Sequence, residues 1–157
     1  MRNITILTLL MAALFFSCSS KNKLSKKEQK SWFLSVEKTP CFGKCPIYKI
    51  EINGMAQANK DARRFLDEIG FFKGPVDEVT FAELVSLTKT AEWQNYKGEY
   101  LTGYSDLPST IIRFSEHAGD TVRIRYESSK APIKLQNLAN KVDSLSTLSI
   151  WESAILD

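Results

Sequence analysis

The stretch that decides the fold is Ile47–Gly54, which reads IYKIEING. Apolar and polar side chains alternate from Tyr48 to Ile52, which is the period of a β-strand with one buried face. Asn53 and Gly54 follow at once, and this pair is a strong hairpin signal because both residues tolerate positive φ. Residues 55–59 are therefore predicted to return as a neighbouring antiparallel strand.

Three further segments indicate strands. Residues 32–37 alternate in the same way and predict a first strand, and residues 62–72 predict one or two more. Residues 112–126 predict a second hairpin whose turn lies at 117–120. Because hairpins join antiparallel neighbours, most of the sheet is expected to be antiparallel.

Two segments have the apolar spacing of helices. Thr80 and Glu83 match a T-x-x-E capping box, which predicts a helix that begins there and ends near Trp93. Pro132 suits the first position of a second helix. The resulting order, β-β-β-α-β-β-α, predicts a two-layer α+β fold with about five mostly antiparallel strands and two helices packed on the sheet.

The first 17 residues predict a secretion signal. A positive start at Arg2 precedes the apolar run Ile4–Phe16, which is shorter than the roughly 20 residues needed to span a bilayer. Ser17 and Cys18 then resemble the bacterial lipobox in its relaxed, Bacteroidetes-type form. The resemblance implies cleavage before Cys18 and attachment of diacylglycerol and a fatty acyl chain, such as palmitate, to that cysteine.

The chain is thus expected to comprise a signal (1–17), a lipidated Lys-rich tether (18–30) and one globular domain (31–157). Its net charge is +3, but six of its 21 Lys and Arg precede the domain, against one of its 18 Asp and Glu. The domain therefore carries 15 basic and 17 acidic residues. Since nucleic-acid binding needs basic residues clustered on the fold, no nucleic-acid partner is expected.

The residue after Cys18 is Ser19 rather than Asp, and no acidic run follows. By analogy with the sorting signals of other Gram-negative lipoproteins, this pattern predicts anchoring in the outer membrane, on its periplasmic face rather than on the cell surface. Besides the membrane, the expected partner is an envelope protein or a cell-wall component.

The most distinctive segment is Thr39–Tyr48, which reads TPCFGKCPIY. In an oxidising compartment, Cys41 and Cys45 are expected to form a disulfide. Four residues of extended chain cover about 13 Å, whereas paired cysteines have Cα atoms about 5.5 Å apart. The bond therefore needs a tight turn, and Gly43 is suited to one.

This motif, followed by a strand, by Asn53-Gly54 and by Asp106-Leu107-Pro108, resembles a domain-of-unknown-function family of Bacteroidetes-type secreted lipoproteins. The resemblance covers most of residues 33–145. It implies a fold and a location, and the family carries no established activity to transfer.

Two functions from different classes follow. In the first, the protein is a non-enzymatic binding or structural component of the envelope that needs no cofactor. Its candidate binding surface is an aromatic and acidic stretch on a predicted loop, since amphipathic rings suit binding surfaces. That stretch contains Tyr96, Tyr100, Tyr104 and Asp106.

In the alternative, the protein is a thiol–disulfide redox or copper protein. C-x-x-x-C-P resembles the motif of Sco-type copper chaperones, and soft thiolates suit Cu(I). The ligands would be Cys41, Cys45 and His117, the single histidine of the chain. In those chaperones the motif opens a helix, whereas a strand is predicted here. The chain also lacks the G-x-S-x-G and H-E-x-x-H motifs of common hydrolases, so no catalytic residue is proposed.

Overall fold

A computed structural model of the chain describes residues 23–117 and 119–154. It contains three helices, eight strands and two short 3-10 turns in one α+β arrangement. In chain order these are α1 (Lys26–Ser31), β1 (Phe33–Lys38), β2 (Ile47–Asn53), β3 (Gln57–Arg64), β4 (Gly70–Pro75), α2 (Glu78–Lys89), a turn at Trp93–Asn95, β5 (Glu99–Tyr100), β6 (Ser109–Ser115), β7 (Thr121–Glu127), α3 (Ile133–Asp143), a turn at Ser144–Thr147 and β8 (Glu152–Ser153).

All eight strands form one sheet in the order β5-β7-β6-β1-β2-β3-β4-β8. Every neighbouring pair is antiparallel except β5 and β7. The predicted α+β class is confirmed, but the described residues form eight strands rather than about five, and three helices rather than two. β5 and β8 have two residues each, which is too short for any alternation to show in the sequence.

One face of the sheet carries the hydrophobic core. The inward side chains of β1 and β2 meet in register, with Leu34 opposite Ile52 and Val36 opposite Ile50, and all four are fully buried. Leu84 of α2 and Leu138 of α3 pack into the same cluster. Burial of each such side chain stabilises the fold by about 1.5–3 kcal/mol.

The β2–β3 hairpin forms where Asn53-Gly54 predicts it, but its turn has a different geometry. Positive φ falls on Ala56, at +57°. The side-chain oxygen of Asn53 accepts hydrogen bonds from the backbone N–H groups of Met55 (2.9 Å) and Gln57 (3.2 Å). The returning strand consequently begins at Gln57 rather than at Met55.

The N-terminal part of the described chain is folded, although residues 18–30 were expected to be a tether. Leu24 is buried, and α1 begins with a capping box between Ser25 and Glu28. A Cβ atom at Gly54 would collide with the carbonyl oxygen of Gln29, so α1 lies directly against the β2–β3 turn. Leu24 is the one apolar residue in the Lys-rich segment 23–31, so the sequence shows no helical periodicity from which α1 could be predicted.

Helix α2 begins earlier than the T-x-x-E pattern predicts. Its N-cap is Asp77, whose carboxylate accepts a hydrogen bond from the N–H of Thr80 at 3.0 Å. Thr80 is thus the third helical residue rather than the cap. The helix ends at Lys89, before Trp93, and α3 follows Pro132 as expected.

Replacing Gly54 by Ala tests the contact between α1 and the sheet. We expect the free energy of unfolding to fall by about 1–3 kcal/mol, because the added methyl group must push the backbone of α1 aside. Urea unfolding of the purified protein measures this. Gly98→Ala is the control, because a Cβ at Gly98 meets only ordinary contacts. Equal midpoints for the two variants would contradict the contact.

Candidate functional site

Two loops meet at one end of the sheet. β1 ends at Lys38, which lies opposite Tyr48 of β2 on one side and Thr110 of β6 on the other. The loop after β1 (39–46) and the loop before β6 (101–108) therefore leave the sheet side by side. We call these two loops together the disulfide pole.

The first loop is closed by the predicted disulfide between Cys41 and Cys45, whose Cα atoms are 5.8 Å apart. The N–H of Gly43 donates to the carbonyl oxygen of Cys41 at 2.9 Å, which makes the turn tight. Gly43 adopts a φ of +156°, a conformation that L side chains rarely take. The small residue between the cysteines is therefore what allows them to meet.

Hydrogen bonds join the two loops. The N–H of Phe42 donates to the carbonyl oxygen of Asp106 at 3.2 Å. At the base of the loops, the N–H of Thr39 donates to the carbonyl oxygen of Ser109 at 3.0 Å. The N–H of Ser109 donates to the hydroxyl of Thr39 at 2.8 Å. Both stretches that carry the family resemblance, the cysteine motif and Asp106-Leu107-Pro108, thus lie in one structural unit.

Glu127 holds the second loop to the sheet. Its carboxylate is buried and accepts hydrogen bonds from the N–H and the hydroxyl of Thr102, at 2.8 and 2.7 Å. These two bonds lower the pKa of Glu127 below its ordinary value of 4.5, and the nearby Arg125 guanidinium contributes to the same shift. The charged form of Glu127 therefore fixes the loop.

Two aromatic side chains project from this fixed support. Phe42 is 90% exposed and Tyr104 is 73% exposed. Each ring belongs to a loop whose backbone is tied down, by the disulfide in one case and by Glu127 in the other. Rigid, exposed aromatic rings can contribute most of the binding energy at an interface, because little entropy is lost when they are covered.

The other two tyrosines of the predicted binding stretch lie elsewhere. Trp93 stacks on Phe114 with ring centroids 4.7 Å apart, and Tyr96 packs against Trp93 with its edge. Tyr100 is half-buried, and its hydroxyl accepts a bond from the N–H of Lys97. Tyr96 and Tyr100 thus complete the core, whereas Tyr104 and Asp106 belong to the disulfide pole.

The structure does not bring together the residues of the copper alternative. His117 lies in the turn after β6, whereas the cysteines lie near its beginning, and a seven-residue strand covers about 20 Å. Among residues 23–117 and 119–154, no three His, Cys, Asp or Glu side chains gather as a metal-binding group. The cysteine motif leads into β2 rather than into a helix.

An ion pair beside the disulfide pole was not predicted. The ammonium group of Lys38 lies 2.6 Å from one carboxylate oxygen of Asp143, and the hydroxyl of Tyr48 donates to the other at 3.0 Å. Burial is the main cause that raises the pKa of Tyr48, and Asp143 adds to it. Asp143 is distant in sequence from both partners, so no local pattern could reveal the contact.

The predicted lipid-bearing Cys18 lies outside the described residues. Within the described part of the chain, no helix has the length and apolar character needed to cross a membrane.

The fold and the site define a small α+β domain with a disulfide-closed loop at one end of its sheet. The family model of DUF6438, a domain of unknown function, matches residues 33–146. The chain therefore belongs to the DUF6438 family, which confirms the predicted membership of an uncharacterised domain family. No curated protein matches the sequence.

Glu127→Gln tests how the second loop is held. The amide keeps the size of the side chain but lacks the negative charge, so we expect faster hydrogen exchange at the Thr102 amide. On acidification the protection factor of the same amide in the wild type, taken relative to its intrinsic exchange rate at each pH, should also fall. Because folding lowers the pKa of Glu127, its contribution is complete above about pH 4.5 and is lost as the pH falls through the lowered pKa. A Thr102 NMR signal that is unchanged by the substitution and by acid would exclude this role.

Removal of the disulfide should loosen one loop without unfolding the domain. In the double variant Cys41→Ser, Cys45→Ser we expect a loss of about 2 kcal/mol in the free energy of unfolding, because the bond closes a very short loop. NMR shift changes should be confined to residues 39–46 and 101–108. Changes throughout the core would instead show that the fold depends on this bond.

Proposed function

We propose that this chain is a lipid-anchored protein of the outer membrane that binds another envelope component through the disulfide pole and catalyses no reaction. The main observation in support of this binding role is the pair of exposed rings, Phe42 and Tyr104, on two loops that are hydrogen-bonded to each other. The anchor would be the acylated Cys18, and the domain would face the periplasm.

The position of the N-terminal segment supports this arrangement. Lys23 forms an ion pair with Glu78 at the beginning of α2 (3.1 Å), and α1 contacts the β2–β3 turn. Both features lie at the end of the sheet opposite the disulfide pole, because β1 and β2 run the full length between them. Lys23, five residues after the proposed anchor, and the proposed binding surface thus lie at opposite ends of the sheet.

The short stretch of sequence between Cys18 and Lys23 supports the same orientation. Residues 18–22 can span at most about 17 Å, and β1 alone covers about 20 Å. With Cys18 in the bilayer, the end that bears Lys23 stays close to the membrane. The disulfide pole then faces away from it, toward components of the periplasm.

A photo-crosslinking amino acid tests this binding role in intact cells. Introduced at Tyr104, it should yield discrete adducts of higher mass, and the additional change Phe42→Ala should reduce them several-fold because both rings contact the same partner. The same probe at Met55 is the control. Met55 is also strongly exposed (69%) but lies in the β2–β3 turn at the opposite end.

Labelling with palmitate tests the anchor separately: label should enter the wild type and not Cys18→Ala. The binding proposal is rejected if the probes at Tyr104 and Met55 give the same pattern, or if Tyr104 gives no adduct while lipidation is normal. Equal labelling of the wild type and of Cys18→Ala would reject the anchor.

A further inference from the structure

A cleft of about 250 Å³ opens beside the disulfide pole, between the inner face of the sheet and α3. It lies between inward side chains at the ends of β1, β6 and β7 and two side chains of α3, Gln136 and Asn140. The lining residues are Lys38, Pro108, Thr110, Tyr126, Ser128, Gln136 and Asn140. Pro108 also belongs to the disulfide pole, so the cleft and the pole are continuous.

The cleft carries no net charge. The ammonium group of Lys38 is compensated by Asp143 at 2.6 Å, and it also donates to the hydroxyl of Thr110 at 3.1 Å. Of the described residues that line the cleft, Lys38 is the one that is charged, and Asp143 already neutralises its ammonium group. The electrostatics therefore favour a neutral ligand.

The polar groups of the cleft are hydroxyls and amides. Within the described part of the chain, no hydrogen bond involves the side chains of Ser128 or Asn140, and both residues are exposed at the rim. The amide nitrogen of Gln136 donates to two backbone carbonyls, which leaves its side-chain oxygen available. These groups can both donate to and accept from ligand hydroxyls.

The cleft also has apolar surface. The exposed ring of Pro108 forms apolar surface at the rim, and the mostly buried ring of Tyr126 closes the inner end. A sugar ring combines hydroxyl groups at its edge with C–H groups on its faces, and these match the two kinds of surface. Concave sites with a few convergent polar groups are the usual form of a small-ligand site.

We infer that this cleft binds a ring of a neutral envelope glycan. The inference rests on the proposed function, because it names the class of partner that meets this end of the molecule. The glycan chain would leave the cleft past Pro108 and run over the exposed ring of Tyr104. Asn140 contributes amide hydrogen bonds to the bound ring.

Titration of the full-length lipidated protein in detergent with chitotriose, a neutral trisaccharide, tests the inference by ligand-observed NMR. We expect saturable binding that Asn140→Ala weakens roughly tenfold, which corresponds to about 1.4 kcal/mol. Asn137→Ala is the matched control, since Asn137 is an exposed residue of the same helix that does not line the cleft. Ser128→Ala at the opposite rim should also weaken binding.

Absence of saturable binding to chitotriose would overturn the inference, as would equal weakening by Asn140→Ala and Asn137→Ala. Binding of an unstructured peptide at Asn140 in place of the trisaccharide would overturn it too. Failure here with successful crosslinking at Tyr104 leaves the binding role intact and assigns it a non-glycan partner. Absent crosslinking together with absent saccharide binding rejects both.

Discussion

The pairing of β1 with β6 is the interaction on which the rest of the structure depends. Phe33–Lys38 aligns with residues 110–115 over its whole length and joins the two hairpins into one sheet. Without it, β2–β3–β4 and β6–β7 would each expose an apolar face, since an isolated hairpin is marginal in water. The same register places the loop after β1 beside the loop before β6. One strand pairing therefore both builds the core and brings the two loops of the disulfide pole together.

Local patterns predicted the parts of the fold that depend on neighbouring residues. Alternation indicated β1, β2 and the β6–β7 hairpin, and helical spacing indicated α3. The features that were missed depend on contacts between distant residues: α1 forms against Gly54, and the two-residue strands exist only because a longer neighbour pairs with them. In α2 the observed N-cap is Asp77 rather than the predicted Thr80.

Part of the candidate site could also be predicted from the sequence. The disulfide was predicted from the expected oxidising compartment, the spacing of the cysteines and Gly43. The sequence alone could not show which residues of the aromatic stretch are buried and which are exposed. Trp93 stacks on Phe114 and packs against Tyr96, which holds Tyr96 at the core, whereas Tyr104 lies in the loop before β6 and is exposed. The Lys38–Asp143 pair, which makes the cleft neutral, joins residues too far apart in sequence to be recognised.

The short strands β5 and β8 occupy the two edges of the sheet. An open edge presents unpaired N–H and C=O groups and can add a strand from another molecule. Glu99–Tyr100 covers part of β7, and Glu152–Ser153 covers part of β4, each with a charged residue. Pairing between the open edges of two molecules would join them into polymers. Short edge strands that carry a charged residue disfavour such pairing at the positions of β7 and β4 that they cover.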